Sequence, residues 1–148
     1  MRTLAVDLGS RRVGLALSDE GGRLATPLTV LKVANPLHAT QQVLAVIRRH
    51  SPQRLLVGVP INMDDTWGQA AHAAVRWGRE LAEQAGVPVV FVDERLSSFQ
   101  AEQSLADRKR GGERLTRRRR KQQLDAVAAA AFLQAFLDGR LAALEVGR

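Results

Sequence analysis

Three acidic residues stand where their chemistry is conspicuous. Asp7 ends a short apolar run (TLAVD, 3–7), Glu94 lies just past another (VPVVFV, 87–92), and Asp125 opens an alanine-rich stretch (AVAAAAFL, 126–133). Carboxylate oxygens are hard donors, suited to one or two Mg2+ or Mn2+ ions, and a two-ion site spans about 4 Å. No other donor chemistry competes. The chain has no cysteine, and His38, His50 and His72 lie 12 and 22 residues apart, with no ligand-spaced pair. Each acid also has a structural explanation. Asp7 is able to cap the turn DLGSRR (7–12) by accepting from backbone amides. Glu94 has Arg95 or Arg11 as ion-pair partners, and Asp93 beside it points to the opposite face if strand alternation persists. Asp125 discriminates best, because a charge among Ala and Val needs a cation, either a basic side chain or a metal.

The elements that must position these acids follow from the hydrophobic pattern. Apolar runs at 3–7 and 13–18 flank a hairpin turn at 8–12, and a third strand is expected at 25–32, weakened early by Pro27. Asn35 and Pro36 open a helix over about 37–50, with Leu37, Val43, Leu44 and Ile47 at helical spacing. LLVGV (55–59) has the continuous apolar character of a strand buried on both faces. A second helix is expected from Asp65 or Thr66 to about Gly86, then a strand at 87–92. A third helix is expected at about 97–107. A last helix, over about 116–143, places Leu124, Val127, Ala128, Ala131, Phe132, Ala135 and Phe136 on one stripe. The sum is an α/β single domain over 1–148 with a mixed five-stranded sheet and right-handed crossovers. The C-terminal edge of parallel strands forms the ligand crevice of such sheets, which brings Asp7 and Glu94 to one edge. With strands about 4.8 Å apart and one strand between them, their ends are separated by ~10 Å.

The 148-residue chain carries a net charge of +7, and its distribution is informative. Between 108 and 121 lie nine basic residues, Arg108, Lys109, Arg110, Arg114, Arg117, Arg118, Arg119, Arg120 and Lys121, against Glu113 alone. The remaining chain has 13 basic and 14 acidic residues, so the whole excess is local. A concentrated basic segment is the footprint of contact with a nucleic-acid backbone, and a solvated, self-repelling mobile loop is its bland counterpart. No Trp, Phe or run of Leu interleaves it, which argues against a membrane surface. The longest apolar run, 126–133, is far below the ~20 residues needed to span a bilayer. The N-terminus meets Asp7 after a few apolar residues, so no signal peptide is read and a cytoplasmic location is expected. Gly9 and Gly14 are followed by no P-loop lysine, although DLGS (7–10) resembles the first phosphate loop of actin-like ATPases. Ser97 and Ser98 have no readable histidine base, and Trp67 and Trp77 suit packing better than base stacking.

Four motifs in combination carry a family resemblance: VDLGSRRVGLALSD (6–19), VGVPINMDDTWG (57–68), VDERLSSFQAE (92–102) and DAVAAAAFLQAFLD (125–138). The chain resembles the YqgF/RuvX family of RNase H-like proteins, described as pre-16S rRNA nucleases and Holliday junction resolvase-like proteins. The resemblance runs nearly end to end. It implies a sheet order of 3-2-1-4-5 with strand 2 antiparallel, and catalytic, metal-holding acids at Asp7, Glu94 and Asp125. It also implies phosphodiester hydrolysis with Mg2+ or Mn2+, on structured RNA such as pre-16S rRNA in ribosomal particles. Branched DNA is the rival substrate, and paired cuts there need a homodimer. A non-catalytic RNA-binding assembly factor, its acids structural, is the rival from another class. In the nuclease reading Arg11, Arg12 and Arg95 neutralise the scissile phosphate while the 108–121 segment clamps the backbone. Asp65 stands where the family's N-M-D-G-T pattern has glycine, and the basic segment is unusually rich in arginine.

Overall fold

The structure, a computed structural model, describes residues 1–95 and 117–146, and for 117–123 the backbone alone. The expected helix at 97–107, Ser97, Ser98 and the basic residues Arg108, Lys109, Arg110 and Arg114 lie outside the described residues. Strands β1 (Thr3–Leu8), β2 (Arg12–Ser18) and β3 (Ala25–Lys32) precede helix α1 (Pro36–His50). Strand β4 (Arg54–Val59), helix α2 (Gln69–Ala85), strand β5 (Val89–Asp93) and helix α3 (Arg117–Leu137) follow. The five strands form one sheet in the order β3-β2-β1-β4-β5. β2 runs antiparallel to β1 and β3, whereas β4 is parallel to both β1 and β5.

The β1–β2 hairpin closes through the Gly9 amide, which donates to the Arg12 carbonyl at 2.8 Å. Pro27 is tolerated because β3 is an edge strand, and a register shift falls between Leu15 and Ala16, beside Pro27's partner. At the opposite edge the Leu144 amide donates to the Phe91 carbonyl at 2.7 Å, so the chain after α3 covers part of β5's open side.

Alternation along the strands sorts two cores. Leu4, Val6, Val13, Leu15, Leu55, Val57, Val59 and Phe91 face α1 and α2 and pack against Val43, Ile47, Val75, Trp77 and Leu81. On the other face Ala5, Ala16, Leu56 and Val92 meet Ala129, Phe132 and Leu133 of α3. That second face is built from smaller residues, which lets α3 lie close across β1, β2 and β3. Trp77 is buried, with its indole N–H donating to the Pro36 carbonyl at 3.3 Å.

Helix boundaries differ from expectation for local reasons. Asn35 caps α1, its side chain accepting from the His38 amide at 2.8 Å, and Pro36 is the first helical residue. The second helix starts at Gln69, not at Asp65 or Thr66. Asp65 is left-handed with φ of 69°, and a tight turn consumes its neighbours: the Asn62 amide donates to the Thr66 carbonyl, and the Thr66 hydroxyl to Asp64. Gly86, with φ of 71°, ends that helix and delays β5 to Val89. The last helix stops at Leu137 rather than near 143, because Gly139 adopts φ of 76° and Arg140 folds back onto the Ala135 carbonyl. The sheet-facing residues of α3 are Ala129, Phe132, Leu133 and Phe136, a stripe shifted in phase from the expected one. Asp125, four residues before Ala129, lies on that shifted stripe.

Candidate active site

Strand parity brings the acids to one face. Asp7 pairs with Gly14 across the β1–β2 hairpin, and both lie in the alternation that points Ala5 and Ala16 at α3. Gly14 is the contact that seats α3: a Cβ there would stand 2.1 Å from the Asp125 carbonyl oxygen and 2.9 Å from the Ala126 nitrogen. The helix backbone thus rests on the strand at the residue opposite Asp7, which fixes where Asp125 emerges. Glu94 follows β5, its amide donating to the Val59 carbonyl at 3.3 Å. Its side chain lies back over Gly58, where a Cβ would sit 2.6 Å from Glu94 Oε2 and 2.9 Å from the Phe132 ring. Glycines at 14 and 58 therefore make room for the helix and for the Glu94 carboxyl. Gly14→Ala sets a methyl group against backbone that has no flexible end to move. We expect a loss of at least about 3 kcal/mol of stability in urea denaturation. In Gly58→Ala the obstructing atoms are side-chain ends, so the fold should suffer less than the carboxyl's position.

The Asp7 and Glu94 side chains are hydrogen-bonded to each other. Burial pushes the Glu94 carboxyl up to about 9, reinforced by the negative charge of Asp7 and the hydrogen bond to it. Burial also raises Asp7, to about 6; the hydrogen bond from Glu94 opposes this rise and the charge of Asp125 adds to it. At neutral pH the pair therefore holds one proton, carried by Glu94 and donated to Asp7. Asp125 is raised by burial as well, against the opposing charge of Arg12. The Arg12 Nε lies 2.8 Å from Asp125 Oδ2, so the cation that Asp125 needs is supplied by this side chain. Among the described residues no three acidic or imidazole groups converge as a ready-made metal cluster. Two carboxyls share a proton and the third is held by a guanidinium. As a donor set the three still suit a divalent cation: their oxygens are hard, and their mutual repulsion is what such a cation would relieve.

Arg95 is directed elsewhere. Its guanidinium meets Asp93 Oδ2 at 2.6 Å, Asp65 Oδ1 at 2.7 Å and the Asn62 carbonyl at 2.9 Å, tying the 62–66 turn to the end of β5 on the side away from Glu94. Burial would raise Asp93, but its hydrogen bonds from Arg95 more than offset this and hold it below the usual carboxylate range. Arg95 thus braces Asp93, Asp65 and the Asn62 carbonyl, a role the sequence reading, which set it on the scissile phosphate, did not give it. Arg11 is exposed on the hairpin turn, and Arg117, Arg118, Arg119, Arg120 and Lys121 fall in the first turns of α3. The sequence reading gave no structural role to Gly14 or Gly58, and gave Asp65 that of a helix cap rather than of a partner for Arg95. A glycine inside each of two strand patterns was the available signal for the first two.

Residues 1–139 match the family model RuvX, described as Holliday junction resolvase. A protein of Anaeromyxobacter sp. (strain K) is 44% identical over 140 residues, covering 95% of this chain and 98% of its own length. One from Opitutus terrae is 43% identical over 141 residues, covering 95% and 93%. Both carry the name "Putative pre-16S rRNA nuclease". Among solved structures, Thermus thermophilus RuvC in complex with a Holliday junction substrate superposes with a TM-score of 0.61 at 23% identity, covering 97% of this chain and all of that one. A second RuvC structure from the same organism gives 0.62 at 21% identity, with the same coverage. With the 3-2-1-4-5 sheet, these show the fold to be RNase H-like, and the family match places the chain in the RuvX family.

Proposed function

We propose that the protein is a divalent-metal-dependent endonuclease that hydrolyses phosphodiester bonds in structured RNA, processing the 5′ end of pre-16S rRNA in the cytoplasm. The observation that carries this reading is that Asp7, Glu94 and Asp125 share the α3 face of the sheet, near enough for their charges to interact, with the Arg12 guanidinium on Asp125. The names of the relatives support the substrate. Asp7, Glu94 and Asp125 would hold one or two Mg2+ or Mn2+ ions. When bound, such ions supply Lewis-acid activation of water and neutralise charge developing on the phosphate. Asp7 and Glu94 contribute carboxylate oxygens, which requires Glu94 to give up the proton it shares. Phe132 of α3 packs beside the Glu94 carboxyl over Gly58, on the inner side of the site. Arg11 and the basic residues of 108–121 bind backbone phosphates, giving affinity without sequence readout.

A second reading, cleavage of four-way DNA junctions by a homodimer with two sites, is favoured by the description of the family model. One experiment separates them: labelled RNA bearing a precursor 16S 5′ end and a four-way DNA junction, each incubated with the full-length protein in Mg2+, Mn2+ or chelator. Metal-dependent RNA cleavage alone supports the first reading, and symmetric junction nicking moves the assignment to the second. Binding without cleavage of either makes the protein a non-catalytic RNA-binding factor. Electrostatic clamping has its own signature. If about six basic side chains displace counterions from a duplex, log K should fall against log salt with a slope near about −5, at about −0.9 per phosphate. Binding measured by anisotropy across a salt series checks this, and a nearly flat dependence removes the basic segment from the interface.

A further inference from the structure

Arg12 opens β2, and alternation puts its side chain on the face of Gly14 and Asp7. Among the described residues, the guanidinium set against the site's carboxyls is that of Arg12, its Nε 2.8 Å from Asp125 Oδ2. The pair is not sealed in. The Arg12 side chain is 37% exposed and Asp125 28%, so the guanidinium has solvent on one side and a long stem to swing on. A guanidinium neutralises a single carboxylate without gathering the other two, whereas a divalent cation draws all three together; the two cannot both satisfy Asp125's charge at full strength.

Building on the metal-dependent reading above, we propose that Arg12 is the resident counter-ion of the site: it competes with the divalent cation for Asp125, and its displacement delivers a phosphate-binding guanidinium to the substrate. In the metal-free protein Arg12 keeps Asp125 neutralised and engaged. Metal binding costs the Arg12–Asp125 bond and releases a planar five-donor fork beside the hairpin turn, where it is free to grip a phosphate bidentately. Ion and phosphate ester then favour each other's binding, because each takes one partner of the same broken pair.

The test is calorimetric titration of Mn2+ and Mg2+ into full-length wild type, Arg12→Gln and Arg12→Lys, without nucleic acid. Removing the competing charge should tighten the ion on the order of tenfold in Arg12→Gln. Arg12→Lys, with a shorter stem and a more strongly hydrated head, should fall between Gln and wild type. If Arg12→Gln does not fold, the order of Lys against wild type decides. Ion affinity that is unchanged or weaker in the variants, with wild type binding measurably, overturns the proposal and leaves Arg12 as a brace between β2 and α3. If neither wild type nor variants bind an ion, the metal-dependent reading falls together with it.

Discussion

Asp7→Asn is expected to abolish metal-dependent cleavage, by about 10³-fold or more in kcat, while the metal-free protein becomes more stable rather than less. Both halves follow from the same position. Asp7 sits one pair in from the turn end of the hairpin register, opposite Gly14 and hydrogen-bonded to Glu94, so a neutral amide of the same shape keeps the contacts and loses the charge. Loss of charge removes a hard metal ligand, and removal of one member of a cooperating catalytic set typically costs several orders of magnitude. The ionised Asp7 is strained by burial and by Asp125, as its elevation to about 6 shows. Relief of that strain is worth about 3 kcal/mol at pH 8, at roughly 1.4 kcal/mol per unit of pKa. Chemical denaturation in chelator and single-turnover kinetics in Mn2+ measure the two halves. Lost activity accompanied by lost stability would mean that Asp7 serves chiefly to hold the hairpin, as a capping residue would.

The strands were legible in the sequence because their apolar runs are short, β-branched and stopped by glycine, proline or charge; the register that gathers the acids was not. What brings Asp125 to Asp7 is one missing side chain, Gly14, and its effect lies in an approach between residues more than a hundred positions apart. A pattern along the chain carries no trace of such a contact beyond the oddity of glycine in a strand. The phase of α3 was legible only in part, for a related reason. Ala126 to Leu133 is apolar at every position, so periodicity there is weak; Val127, Ala128, Phe132 and Ala135 are buried as read, while packing against Ala5, Ala16 and Leu56 adds Ala129 and Leu133. Asp65 shows the opposite failure. Its type suits a helix cap, yet it adopts a left-handed backbone and hands its carboxylate to Arg95. Arg95 was assigned to phosphate by its place beside Glu94; its ion pairs with Asp93 and Asp65 were not legible there.

Stability of the metal-free protein should fall as pH rises from about 5 to about 8, the reverse of the usual behaviour of salt-bridged carboxylates. Glu94 moves from 4.5 to about 9 and Asp7 from 3.8 to about 6 on folding, so the folded chain holds protons that the unfolded chain has already released. Where the folded state binds more protons, unfolding free energy declines with pH at up to about 1.4 kcal/mol per unit for each proton. Stability from both groups is therefore complete below their unfolded values, and it is lost for Asp7 by about pH 6 and for Glu94 by about pH 9. Between pH 5 and 8 the Glu94 contribution alone amounts to about 4 kcal/mol. Urea denaturation in chelator at the two pH values measures it, with Glu94→Gln as the control that should flatten most of the slope. The same linkage makes ion binding release protons. At pH 7.5 about one proton should leave the Asp7–Glu94 pair as the ion enters, seen as a calorimetric enthalpy that changes with the ionisation enthalpy of the buffer. A flat stability profile together with buffer-independent ion binding would show that Glu94 is ionised throughout. The site would then take its ion without first giving up a proton.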